Sequence, residues 1–426
     1  MMFNLPLKVQ YILDTFSKAG YESYIVGGCV RDLLLRISPK DWDITTNCHP
    51  EDIQKLFSNT IPTGIKHGTI TVMLDGEGFE VTTFRTEGDY LDNRHPSNVA
   101  FVNDIKEDLS RRDFTINAMA YNPTLGLKDF FNGKNDLKNN LIRSVGDGSK
   151  RFKEDALRMI RSIRFSSTLG FNIEENTLSS IGDNSNLINN ISKERVRDEL
   201  YKILMSKKPS VGINLLHQCS LLKYILPNLY VPFNEELFND ILSTLDSTKE
   251  DIILRLTSLF YNANGFSNEY HEAHIFNCNT CANTLKNLKF DSNTIKTCSL
   301  IIKESNNILT LNSKTDIKKF LSPRNLDLVN RMISFEKSKS VSLDLNSRLN
   351  ILSSIEYVEK TLSEIIENND PIYLKDINIT GNDLITLGVK KGKDVGIILN
   401  LLLNKVLENP SLNEKETLCN MVKTLY

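Results

Sequence analysis

An α+β head followed by an elongated all-α neck, body and tail is the fold class this sequence predicts, and three observations lead there. Residues 1–150 alternate short β-rich runs with amphipathic helical patterns, which argues for a small mixed-sheet domain. From Lys150 onward strand signals nearly vanish, while apolar residues recur at helical spacing. The length of 426 residues exceeds one domain at about 100–200 residues per domain. With 40% hydrophobic residues against 24% charged, the chain can bury cores without disulfides and is neither disordered nor of low complexity.

In the head, strand signals fall at Ser23–Val26, Trp42–Thr45, Thr69–Leu74, Phe79–Phe84 and Ala100–Asn103. Turn residues separate them, as at Asp75–Gly78 and Glu87–Asp89. Helical patterns at Pro6–Ala19, Val30–Leu35 and Pro50–Phe57 lie between. Beyond the head the periodic runs are Phe152–Leu169, Arg195–Leu204, Pro209–Cys219, Asp251–Phe260 and Val395–Leu407. No fixed-period repeat links them, which argues against a solenoid. The expected division is a head at 1–150, a neck at 151–208, a body at 209–350 and a tail at 351–426.

No run of eighteen apolar residues spans a membrane, and the first sixteen residues lack the continuous apolar centre of a signal peptide. Seven scattered cysteines suit reduced thiols and a cytoplasmic location. Lys+Arg 51 against Asp+Glu 53 gives a net charge of −2, so binding of nucleic acid must rest on local patches. One such patch is Lys134–Arg164, with nine Lys/Arg against four Asp/Glu.

The strongest chemical signal is Gly27-Gly28-Cys29-Val30-Arg31-Asp32, followed by Lys40-Asp41-Trp42-Asp43. A strand enters two glycines and a helix starts, so backbone N–H groups of Gly28 and its neighbours can approach a phosphate chain while Arg31 adds charge-assisted bonds. Asp41 and Asp43, two apart in a strand-like run, point to one face and make a hard-oxygen site for Mg²⁺. Trp42 then faces the core. Glu80 is a candidate third carboxylate, or an exposed strand-end residue. Arg111-Arg112 either lies on a solvated face or neutralises a leaving pyrophosphate.

Read as one helix, Glu154–Phe165 sets Asp155, Arg158 and Arg161 within a 120° sector, and Arg164 continues the drift. That row is a salt-bridged surface or a reader of nucleobase edges, for which a carboxylate and guanidiniums supply acceptor and donors. His271, His274, Cys278 and Cys281 have zinc-type side chains, but their spacing strings them along one continuous helix, so they read as packing. A P-loop and nucleophilic catalysis find no support.

These motifs together resemble the class II tRNA nucleotidyltransferases, the CCA-adding enzymes of the polymerase-β-like nucleotidyltransferase superfamily. The Gly-Gly turn with the Asp pair resembles the triphosphate and metal motif, and Arg111–Ala118 the next one. Asp129–Asp147 resembles the head-to-neck hinge, and Glu154–Phe165 the nucleobase-reading helix. Glu194–Leu200 resembles the motif supporting that helix, and Gly381–Gly396 the tail segment that grips the tRNA elbow. The resemblance implies Mg²⁺ at Asp41 and Asp43, with Gly28, Arg31 and Arg112 on the nucleotide's phosphates or sugar. It further implies Asp155, Arg158, Arg161 and Arg164 on the incoming CTP or ATP. The implied reaction adds C, C and A to a tRNA 3′ end without a nucleic-acid template. A homodimer is left open. Alternatives are an A-adding enzyme or a poly(A) polymerase of the same family. Pro62–Val72 lacks the basic run usual in the polymerases and resembles CCA-adding enzymes instead. A small-molecule nucleotidyltransferase is the alternative from another class, with no use for some 250 helical residues beyond the head. The segment Thr86–Pro96, with Asp92 and Arg94, is expected to act as a lever in the change from C to A.

Overall fold

The computed structural model describes residues 3–88, 98–229, 234–262 and 270–425. The chain packs as two compact units, Met1–Phe233 and Asn234–Tyr426.

In the first unit, helix α1 (Leu7–Lys18) leads into β1 (Ser23–Val26), helix α2 (Gly28–Leu34) and β2 (Ile44–Thr46). Helix α3 (Pro50–Leu56) precedes the strands β3 (Thr60–Gly64), β4 (Thr69–Leu74) and β5 (Glu77–Thr83). A two-stranded ribbon, β6 (Arg85–Glu87) with β7 (Val99–Phe101), is followed by helix α4 (Ile105–Ser110), β8 (Met119–Asn122) and β9 (Gly126–Asp129). The main sheet has seven strands in the order β3-β4-β5-β2-β1-β8-β9, with β2 and β5 parallel and every other neighbouring pair antiparallel.

Strand β1 is buried on both faces, and its alternation assigns its side chains to two cores. Ile25 joins Val9, Ile12 and Phe16 of α1, with Phe16 edge-on to Phe57 at 5.3 Å. Tyr24 and Val26 join Phe84, Ile105 and Leu109 under α4. The β4–β5 hairpin turns at Asp75 and Gly76, both at positive φ, which is the two-residue geometry that Asp-Gly favours.

After the sheet come helix α5 (Gly133–Lys138), β10 (Leu141–Ile142), helix α6 (Gly148–Glu154) and helix α7 (Leu157–Leu169). Strand β11 (Asn172–Ile173) pairs with β10, and helices α8 (Glu175–Asn184), α9 (Lys193–Leu204), α10 (Pro209–Gln218) and α11 (Leu222–Ile225) follow within this unit.

Three sequence expectations need correction. The carboxylate strand was expected over Trp42–Thr45 but runs over Ile44–Thr46. Its partner β1 ends at the Gly27 turn, so pairing stops at the bond from Val26 N–H to Asp43 O (2.9 Å), and Asp41 lies in the lead-in. The helix expected over Phe152–Leu169 is two helices, because Asp155 takes extended angles (φ −134°, ψ 104°) between them. Strands β3, β6, β8, β9, β10 and β11 were missed. β3 is an edge strand carrying Pro62 and ending in Gly64, residues that weaken a strand signal.

The second unit is all-helical among its described residues. Ile377, Leu384, Leu402, Val406, Leu418 and Val422 form part of a separate apolar cluster near its end. Tyr270–Asn287 is one helix, as the spacing of the His and Cys residues requires, with Cys281 buried and Cys278 half-buried. The His271 and His274 side chains lie outside the described residues, as do Asp92, Arg94 and most of the segment Thr86–Pro96.

Helix α5 sits directly against the turn at Thr115. A Cβ on Gly133 would lie 2.2 Å from Thr115 O, and Asp136 accepts a 2.6 Å bond from Thr115 Oγ1. Gly133→Ala should therefore cost about 3 kcal/mol by overpacking against backbone, read as a lower denaturation midpoint in urea.

Candidate active site

The site is assembled around the end of β1. Gly27 has φ +78°, and a Cβ there would come 3.1 Å from Arg112 Nη1. Only glycine both takes that angle without strain and admits the guanidinium so close. Helix α2 starts at Gly28, leaving its first N–H groups without helical acceptors. One turn on, Arg31 Nη1 donates to Asn117 Oδ1 (2.8 Å), and its Nε and Nη2 donate to Asp32 Oδ1 (2.9 and 2.7 Å). Gly28, Arg31 and Arg112 are thus brought to one corner of the sheet.

Asp41 and Asp43 flank that corner, both exposed, while Trp42 is half-buried against the main core as its alternation implies. Desolvation raises the Asp43 carboxyl above its ordinary value. Arg112 pulls it back, and the charges of Glu80 and then Asp41 push it up again. Glu80 therefore stands near enough to act on Asp43, one strand away on β5. Carboxylates held against one another suit a hard divalent cation, which relieves their repulsion. Among the described residues no three His, Cys, Asp or Glu side chains converge as a ready-made metal cage. Two carboxylates with the remaining positions left to phosphate and water is the pattern of Mg²⁺.

One central residue escaped the sequence reading. Asp108, at the end of α4, has a fully buried side chain. It accepts from Arg111 (2.7 and 3.0 Å), Arg112 (3.3 Å) and the N–H of Arg85 (3.4 Å), with Thr45 Oγ1 at 3.5 Å. Burial opposes its charge, but Arg111 and Arg112 outweigh burial and hold the carboxyl below its ordinary value. The signal was present: Asp108 precedes the arginine pair by three and four residues, the spacing of neighbours on a helix. Arg111 also donates to Glu87 Oε1 (2.8 Å), so the pair is internally bonded rather than on a solvated face.

Of the four residues assigned to the nucleobase, Arg158, Arg161 and Arg164 share helix α7, whereas Asp155 lies before it. Asp155 lies in the joint between α6 and α7, accepts from Leu157 N–H (3.0 Å), and is gripped by Arg195 Nη1 and Nη2 (3.4 and 2.9 Å). Arg158 is buried, donating to Glu154 (2.8 Å) and to the carbonyls of Arg151 (3.3 Å) and Arg111 (2.9 Å). Arg161 donates twice to Asp113 Oδ2 (2.9 and 2.7 Å), and Arg164 donates to Glu199 (2.7 Å). Every one is held by a partner before any ligand arrives. Beside Glu154 and Arg151 opens a cleft of about 680 Å³, also lined by Glu87, Arg111 and Lys150.

Residues 23–143 match the family model for the poly A polymerase head domain, and 170–231 that for the RNA and SrmB-binding site of polymerase A. Residues 274–422 match that for tRNA nucleotidyltransferase domain 2. The chain is 34% identical to a CCA-adding enzyme of Ligilactobacillus salivarius, covering 97% of this chain and 95% of that one. It is 32% identical to one of Staphylococcus aureus, covering 96% of each. The crystal structure of the Bacillus stearothermophilus CCA-adding enzyme in complex with CTP aligns with a TM-score of 0.74 at 26% identity, over 99% of this chain and 98% of that one. The Thermotoga maritima CCA-adding enzyme complexed with tRNA shares the fold, with a TM-score of 0.67 at 23% identity and 99% and 97% coverage.

Asp113 links pH to stability. Burial opposes its ionisation, but Arg161 by charge and hydrogen bond, with Arg158 and Asn117, holds the carboxyl at about 2, below 3.8. A depressed folded value means its contribution is complete above the unfolded value and is lost as pH falls toward the folded one. Stability should therefore drop between about pH 4 and pH 2, and Asp113→Asn should be less stable at neutral pH with a shallower acid slope. Urea unfolding at stepped pH measures both.

Proposed function

This chain belongs to the CCA-adding enzymes, and we propose that its site residues carry the addition of C, C and A to the tRNA 3′ end as follows. The observation behind the reading is the convergence of Gly27, Arg31, Arg112, Asp41 and Asp43 on one corner of the sheet. CTP or ATP lies with its triphosphate on the Gly28 turn, between Arg31 and Arg112. The tRNA 3′-hydroxyl attacks the α-phosphate in line, a P–O bond forms, and pyrophosphate leaves with the charge of the broken bond. Asp41 and Asp43 would hold a divalent cation, Mg²⁺ in our reading, which neutralises the phosphates and makes the hydroxyl easier to deprotonate. Arg31 and Arg112 stabilise charge growing on the leaving group, already oriented by Asn117 and Asp108.

Asp155 and Arg158 read the base. Cytosine and adenine both offer an exocyclic amine beside a ring-nitrogen acceptor, which one carboxylate and one guanidinium match. Uracil and guanine present the opposite polarity. Three donors of Arg158 are committed to protein, which holds its guanidinium in a fixed direction. On this reading 1–150 is the catalytic head, 151–208 the base-reading neck, 209–350 the body and 351–426 the tail that holds tRNA. The work is cytoplasmic. No helix among the described residues is long and apolar enough to cross a membrane.

Incubation with tRNA ending at the discriminator base and labelled CTP, ATP or both should give CC with CTP alone and CCA with both. Addition of A only to tRNA already ending in CC would select the A-adding alternative. Asp41→Asn and Asp43→Asn should each slow turnover about a thousandfold or more with tRNA affinity little changed. Near-normal addition by either would remove the carboxylate assignment. Asp155→Ala or Arg158→Ala should cost about 1–3 kcal/mol of discrimination and admit UTP or GTP. An equal slowing with all four nucleotides would mean that this joint serves structure alone.

A further inference from the structure

Three guanidiniums meet on one aromatic ring. Phe165, 4% exposed on α7, has Arg164 Cζ 3.7 Å, Arg31 Cζ 5.2 Å and Arg161 Cζ 5.5 Å from its centroid. Phe114 meets it edge-on at 5.7 Å. Each arginine is tied by a carboxylate: Arg31 by Asp32, Arg161 by Asp113 and Arg164 by Glu199. Arg31 and Arg161 are joined a second way, since Asn117 accepts from Arg31 (2.8 Å) and donates to Asp113 (3.2 Å), which accepts from Arg161. The contacts close a circuit: Arg31, Asn117 and Asp113 before the neck, Arg161 and Phe165 on α7.

We propose that Phe165 is a positioning residue for nucleotide binding: its ring fixes the direction of the Arg31 guanidinium and ties that direction to helix α7. The inference rests on the reading of Arg31 as a phosphate ligand. The physical reason is that a guanidinium held only by Asp32 and Asn117 can still tilt about those bonds. A π face across its other side removes the tilt and attracts the cation. The same ring serves Arg161, so the phosphate corner and the base-reading helix share one support. A plain apolar side chain would fill the volume without that attraction.

The test keeps shape and changes the ring's electrostatics. Phenylalanines of increasing ring fluorination, incorporated at position 165 of the full chain, should raise KM for CTP and ATP together, about fivefold to tenfold at the highest substitution. Turnover should fall by no more than a similar factor, because Arg31 also faces the leaving pyrophosphate, while KM for tRNA should stay within about twofold. Phe165→Leu should match the most fluorinated variant in KM while also melting lower. An unchanged nucleotide KM across the fluorinated series would overturn the proposal, as would a change confined to melting temperature. Arg31→Ala separates the two layers. If it leaves both nucleotide KM and turnover unchanged, the phosphate reading fails and the proposal with it. If it raises KM while fluorination does nothing, only the role of Phe165 fails.

Discussion

The pairing of Asp113 with Arg161 is the interaction on which the site depends. Asp113 Oδ2 takes both hydrogen bonds from Arg161, while Oδ1 takes the N–H of Phe114 (2.8 Å) and the amide of Asn117 (3.2 Å). One side chain thus fixes the turn before β8, the orientation of Asn117 and the position of helix α7. Such a pair need not stabilise the fold more than apolar residues of equal volume would. Removing one partner, however, leaves the other's charge uncompensated in a half-buried place. The pair specifies geometry at an energetic risk, which suits a joint whose two sides must present groups to one ligand.

The same logic repeats outward from that pair. Asp108 holds Arg111 and Arg112, Arg195 holds Asp155, and Glu199 holds Arg164 and Lys202. Arginine suits these positions because its planar fork can bind a carboxylate with some donors and a ligand with others, whereas a lysine offers one point charge. A site preformed in this way loses little conformational freedom when a nucleotide enters. The carboxylate corner is the complement: Asp41 and Asp43 are exposed, with Arg112 and Glu80 acting on Asp43 in opposite senses.

Sequence and structure agree most closely where a local pattern suffices. Strands β1 and β4, the Asp75–Gly76 turn and helices α1 and α3 lie where periodicity and turn chemistry set them. The grouping of Asp41, Asp43, Gly28 and Arg31 at one corner was legible because the order strand, Gly-Gly turn, basic helix and carboxylate run is itself local. The break at Asp155 was not legible, since helical periodicity continues across it and only Arg195, forty residues away, marks the exception. Asp108 was overlooked for a related reason: a carboxylate in a polar helix reads as solvated until the arginines beside it fold inward.

By itself, then, the sequence determined the α+β head, the helical remainder and the identity of the chemical groups, because backbone preference and residue type are properties of neighbours in the chain. Tertiary structure alone decided which arginines are bound to which carboxylates, that Glu80 acts on Asp43, and that Phe165 lies beneath Arg31. Those pairings join residues as far apart as Arg31 and Phe165. Charge attraction and ring faces act through space, and no periodicity along the chain records which distant partner burial will select.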